Sequence, residues 1–190
     1  RGSINNIEFH TLSGSRQCLV IESLTNSSGD RGLDNVIKGV QIGACDDPIV
    51  FQQYQDSSVQ QGNQIEVNFL SGCKNGVVFD DNGGHTLQGD WDSNNVQLQA
   101  IDNQRNNASF ILNRSAFPVN NQTIESHSWN GGLLAPNSNL VKGLFRGCVI
   151  KLITATPTTV DDVCVLADAS ALATGKLIIK RGGGKINPTR

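Results

Sequence analysis

The stretch Gly39-Val40-Gln41-Ile42-Gly43-Ala44-Cys45-Asp46 returns, altered, as Asn95-Val96-Gln97-Leu98-Gln99-Ala100-Ile101-Asp102, an offset of 56 residues. Both copies mix apolar and polar positions in the short alternation of a half-buried strand. Upstream of each lies a second similar pair, Ser15 to Glu22 (SRQCLVIE) against Gly72 to Asp80 (GCKNGVVFD). Downstream of each comes an aromatic, Phe51 and Phe110. Two copies therefore share one order: strand, long loop, V-Q strand, aromatic strand. A third, degraded copy would fall between Trp129 and Ile153. Self-similarity of this kind predicts a fold assembled from like units.

Working outward, most other apolar segments are also short and bounded by Gly, Asn or Asp, which reads as strands. Candidates are Cys18 to Ile21, Val36 to Ile42, Ile49 to Tyr54, Ile65 to Leu70, Val77 to Phe79 and Val96 to Ile101. Ser109 to Leu112, Gly147 to Thr154, Val163 to Leu166 and Lys176 to Lys180 complete the series. Turn signals such as Asn75-Gly76, Asp81-Asn82-Gly83-Gly84 and Trp129-Asn130-Gly131-Gly132 separate them. One short helix is predicted, Asp168 to Thr174. The spacing suits a closed barrel or a sandwich.

Composition agrees with an all-β class. Of 190 residues, 37% are hydrophobic and only 17% charged, and there is no Met. Neutral polar residues fill the balance, as in β-proteins with long polar loops. The expected organisation is a single β-rich domain over 1–175, followed by a last strand and basic tail over 176–190. A formal net charge of −2, with the one basic stretch at Lys176 to Lys185, argues against nucleic-acid binding. No apolar run is long enough to span a bilayer as a helix. Five cysteines and four Asn-x-Ser/Thr sequons, at Asn26, Asn107, Asn113 and Asn121, point to a secreted glycoprotein. The start at Arg1-Gly2-Ser3, with no apolar leader, reads as a mature form or as the remnant of an added leader.

The first repeat copy resembles the ricin-type β-trefoil lectin repeat. That family pattern runs G-x-C-L, then V-x-L-x-x-C, then Q-x-W. Here it is met by Ser15-Arg16-Gln17-Cys18-Leu19, by Val40-Gln41-Ile42-Gly43-Ala44-Cys45 and by Phe51-Gln52-Gln53-Tyr54. Tyr54 replaces the Trp, Ile101 stands where the second copy needs Cys, and Val20 stands where the family has its sugar-binding Asp. The resemblance implies a β-trefoil, with an antiparallel β-sandwich as the alternative. It also implies a disulfide between Cys18 and Cys45, stabilising by roughly 3 kcal/mol in the chain-entropy model. Cys148 and Cys164 form the second expected pair, leaving Cys73 over.

Sugar binding requires hydrogen-bonding amides or carboxylates beside an aromatic face. The span 80–92 contains all of these, with Asp80, Asp81, His85, Asp90 and Trp91 and, just beyond, Asn94. Trp91 is expected to stack and the acids to accept hydroxyl groups. A second candidate groups Asp46 and Asp47 with Gln52 and Tyr54, and a third is the loop His127 to Gly132. The competing reading makes these loops plain polar turns and Trp91 a core residue. Metal chemistry is weakly signalled: His10, His85 and His127 share no ligand spacing. The Asp-rich turns offer oxygen ligands suited to Ca²⁺ without an EF-hand pattern. No cofactor is expected otherwise.

No G-x-S-x-G, H-E-x-x-H or phosphate-loop motif is present. The function expected is therefore secreted, non-catalytic carbohydrate binding, with glycans or glycoproteins as partners. The alternatives are a protease inhibitor or receptor-interaction protein on a β scaffold, and a polysaccharide-acting hydrolase or lyase.

Overall fold

The computed structural model describes residues 5–14, 16–23, 32–53, 59–82, 90–102, 111–115, 117, 119–130, 141–143, 145–146, 148–154, 164–167, 178–180 and 186–188. Among these, every regular element is a strand. The chain winds in successive turns, and each turn lays one strand on each of three faces. The first turn carries β1 (Asn6–Ser13), β2 (Gln17–Ser23) and β3 (Gly32–Leu33). The second carries β4 (Val36–Gly43), β5 (Asp47–Gln53) and β6 (Val59–Gln61), and the third β7 (Gln64–Ser71), β8 (Val77–Asp80) and β9 (Asp90–Asp92). The fourth has β10 (Asn95–Asp102), β11 (Ile111–Asn113) and β12 (Val119–Asn120), and the fifth β13 (Thr123–Asn130), β14 (Val141–Lys142) and β15 (Phe145–Arg146). A sixth begins with β16 (Cys148–Thr154). After it come β17 (Cys164–Ala167), β18 (Ile178–Lys180) and β19 (Ile186–Pro188), which pair antiparallel.

Neighbouring turns pair in parallel. The long sheet runs β1-β4-β7-β10-β13-β16 before its three antiparallel strands, and a second runs β2-β5-β8-β11-β14. The third face is made of β3-β6-β9 and, separately, β12-β15. This is a parallel β-solenoid. A trefoil or antiparallel sandwich needs antiparallel neighbours, joined by hairpins or Greek-key connections. Here Val36 sits beside Asn6 on one side and Gln64 on the other, all parallel, so the trefoil and sandwich expectations are both corrected. The fold is assembled from like units, and the unit is a single turn. Asn6, Val36, Gln64, Asn95, Thr123 and Val149 are successive partners, so each turn takes 26 to 31 residues. The 56-residue echo spans two turns. In register, Gly39 lies beside Val67 and Val67 beside Leu98, three residues further on than the sequence match placed it.

Two devices make the corners. The first is backbone in the left-handed region at Asp34 (φ 54), Gly62 (φ 67), Ser93 (φ 54) and Asn121 (φ 50), each one residue before a strand-entry amide. Short polar residues and glycine tolerate that region best. The second is a column of those amides, Asn35 half-buried and Asn63, Asn94 and Gln122 buried. Asn35 donates its side-chain amide to Asn63 Oδ1 at 2.7 Å, and Asn63 does the same to Asn94 Oδ1 at 2.7 Å. Each acceptor also takes a backbone N–H, from Asn35 (3.2 Å) and from Asn63 (3.1 Å). Asn5 extends the column at one end, donating to Asn35 Oδ1 at 2.9 Å. At the other end Cys148 takes the same position, its sulfur 3.4 Å from the Gln122 N–H. A buried corner must satisfy its backbone groups without water, and the side chains of Asn63, Asn94 and Cys148 do that for the N–H groups of Asn35, Asn63 and Gln122.

The core fills the space between the faces. Ile37, Ile65, Val96 and Ile124 stack in one row of the long sheet, all buried. Ile42, Leu70 and Ile101 form another. On the second sheet Phe51 and Phe79 stack at 5.1 Å with rings 9° apart, and Trp91 and Phe145 meet Phe79 edge-on. In the row Phe9, Gly39, Val67, Leu98, the glycine has a definite purpose. A Cβ at Gly39 would land on the Phe9 ring. Gly39→Ala is therefore expected to push that half-buried ring outward and destabilise by about 1–2 kcal/mol. In a Phe9→Ala background the same substitution should cost almost nothing. Urea unfolding of the four proteins of this cycle checks the coupling.

Candidate functional site

Residues 83–89 of the span 80–92 lie outside the described residues, and those that are described are placed as follows. Trp91 is completely buried, on β9, against Phe79. Its ring faces are part of the core and present nothing to solvent. Asn94 is buried at 1% exposure inside the amide column, where its Nδ2 donates to the Gln60 carbonyl at 2.9 Å. Asp80 accepts the Asn82 N–H at 2.9 Å, which shapes the turn that follows β8. Asp81 is half-buried beside it. Asp90 begins β9, though its side chain is not described, and His85 lies outside the described residues, as does Tyr54. Gln52 is half-buried on β5, with its carbonyl accepting from Gln60 Nε2 at 2.8 Å.

One acid from each predicted cluster, Asp47 and Asp80, meets a residue that sequence reasoning passed over, Arg114. Its guanidinium reaches Asp47 through both nitrogens, at 2.6 and 2.9 Å, and Asp80 at 3.2 Å. Asn75 adds a 2.6 Å hydrogen bond to Asp47, whose side chain is 1% exposed. Burial works against the charge on Arg114, but the hydrogen bonds and charges of Asp47 and Asp80 outweigh it and hold its pKa above the ordinary guanidinium value. The arrangement is a fork-to-fork ion pair that ties three turns together. Both carboxylates are occupied by the cation, so neither stands as one of two acids facing across a cleft. Asp46 is half-buried at the same corner.

The cysteines pair differently from expectation. Cys18, Cys45, Cys73 and Cys148 carry thiols and form no disulfide with one another. Cys45 and Cys73 sulfurs lie 3.4 Å apart, well beyond a covalent S–S bond. The hydrogen bond with Cys73, then burial, then the contact with Cys18 push the Cys45 thiol far above the ordinary range. Cys148 is opposite Ala167 and Cys164 is opposite Lys151, so register does not bring the second expected pair face to face. Of the sequons, Asn26 and Asn107 lie outside the described residues. Asn113 is buried at 5% exposure and donates to the Phe117 carbonyl at 2.8 Å, which leaves no room for a glycan. Asn121 is exposed at a left-handed corner.

What does face solvent with an aromatic is the outer surface of the long sheet. Strict alternation would send Phe69 inward with Ile65 and Val67. The strand instead turns two consecutive residues outward before Leu70 points in. The same happens on β4 and β10, so Val40-Gln41, Asn68-Phe69 and Gln99-Ala100 form a patch of three rungs. Phe69 is 47% exposed and Val40 37%. Adjoining them runs a polar row, Glu8, Lys38, Glu66, Gln97, Glu125 and Lys151, in register across six strands. Lys38 and Glu66 pair at 3.3 Å, and His127 meets Gln97 at 3.2 Å. The only available sequence signal was the order N-F-L, whose two adjacent apolar residues cannot both point inward from a regular strand.

Among the described residues no group of three His, Cys, Asp or Glu side chains is arranged to hold a metal ion. Nor is any helix there long and apolar enough to cross a membrane. Compared with family models, curated proteins and solved structures, the chain matches none.

Proposed function

We propose that the chain is a secreted, non-catalytic carbohydrate-binding protein, and that its glycan lies across the strands of the long sheet at Phe69. The carrying observation is the half-exposed Phe69 ring in a flat patch rich in side-chain amides. An aromatic face takes the C–H side of a sugar ring, and amides both donate to and accept from hydroxyl groups. Gln41, Asn68 and Gln99 supply three such amides on neighbouring rungs. Strands about 4.8 Å apart present equivalent positions repeatedly along one line, which suits an extended chain of sugars more than a single one. The polar row mixes both signs of charge, which favours a neutral polysaccharide over a polyanion.

The test is affinity electrophoresis through gels containing soluble neutral polysaccharides. Phe69→Ala is expected to weaken retardation about tenfold, or roughly 1.4 kcal/mol. Val20→Ala, exposed on a different sheet, should leave it unchanged. Equal retardation of wild type and Phe69→Ala would sink the assignment of this patch.

A further inference from the structure

Three thiols meet near one corner of the first three turns. Cys45 and Cys73 are buried at 1% exposure with sulfurs in contact, and the half-exposed Cys18 hydrogen-bonds to Cys45 from the solvent side. The backbone holds the inner two in place: Ala44 N–H bonds to the Ser71 carbonyl, and Lys74 N–H to the Cys45 carbonyl, on either side of the sulfurs. Cys45 is the shared member, so only one internal disulfide can exist among the three at a time. We propose that this corner is a thiol relay, in which a low-molecular-weight disulfide such as oxidised glutathione reacts at Cys18 and the bond is passed inward to Cys45 and Cys73.

The steps balance. The Cys18 thiolate attacks one sulfur of the small disulfide, forming a mixed disulfide and releasing one thiol. Cys45, after giving up its proton, attacks the Cys18 sulfur; the Cys18–Cys45 bond forms and the second small thiol leaves. Cys73 then attacks the Cys45 sulfur, giving Cys45–Cys73 and returning Cys18 as a thiol. Two protein thiols are oxidised and one small disulfide is reduced to two thiols. Burial of Cys45 makes the second step slow and faster at alkaline pH, because the thiolate is the attacking species. The end state clamps the second turn covalently to the third, and Cys18 is ready to react again. The relay is independent of the glycan reading.

The experiment is incubation of the folded protein with oxidised glutathione, followed by intact mass and disulfide mapping. Wild type is expected to lose two thiols with no glutathione retained, and to yield Cys45–Cys73 with Cys18 reduced. Cys73→Ser should stop at Cys18–Cys45. Cys45→Ser, or Cys45→Ala should the serine variant fold poorly, should hold glutathione on Cys18 without resolving it. A lasting glutathione adduct on wild-type Cys18 would overturn the relay. So would an internal disulfide in either Cys45 variant, or one in wild type that runs to Cys148 or Cys164.

Discussion

Trp91→Ala is expected to destabilise the fold by about 3–5 kcal/mol, the usual cost of emptying a buried indole site. The ring is fully buried and packs edge-on against Phe79, itself stacked on Phe51, so the cavity would open beneath two turns at once. Trp91→Phe should cost far less, under about 1.5 kcal/mol. One reason is that the indole N–H has no hydrogen-bond partner among the described residues, so the phenyl ring gives up no such bond there. Urea unfolding midpoints at constant slope separate the two variants. A Trp91→Ala protein of undiminished stability that had lost glycan binding would return the site to the 80–92 loop and reverse the placement argued above.

The second large effect belongs to Asn63, fully buried at the centre of the amide column. Asn63→Ala removes the acceptor of both the Asn35 backbone N–H and the Asn35 side-chain amide, and takes one donor from Asn94. Leaving buried donors without partners costs about 1–3 kcal/mol each, so a loss of about 3 kcal/mol is expected. For a chain of this length that lowers Tm by roughly 10 °C. Asn5→Ala, at the exposed end of the same column, should stay within about 0.5 kcal/mol. Calorimetry of the pair tests the column as a unit. Similar melting for both variants would mean that the corners are held by backbone geometry alone.

The strands were legible and their partners were not. Val36 to Ile42, Ile65 to Leu70 and Val96 to Ile101 each fall inside an observed strand, because alternation and flanking turn residues are local signals. Parallel pairing leaves no such mark. The partner of Val36 is Gln64, and nothing adjacent to either residue says so. The asparagines that hold the turns in register look, one at a time, like ordinary turn residues, and only their recurrence at Asn35, Asn63 and Asn94 carries the information. The same locality explains why two of the residues expected to bind sugar have other partners. Acids, glycines and a tryptophan close in sequence suggested a binding loop, yet Asp80 belongs to Arg114 and Trp91 to the core. Phe69 was hidden for the opposite reason, since two consecutive outward residues break the period from which facing is inferred.

The parallel winding sets how the chain can find its structure. In the stacked turns each strand's partner lies about one turn away along the sequence, whether it belongs to the first turn or the fifth. The entropy of closing the chain is therefore met again for each turn at nearly the same size, rather than growing with the length of the protein. Ordering can begin wherever two neighbouring turns first meet and spread outward from there, as in other one-dimensional arrays. Disorder follows the same geometry: a lesion in an end turn frays that end, while the interior turns keep both of their neighbours.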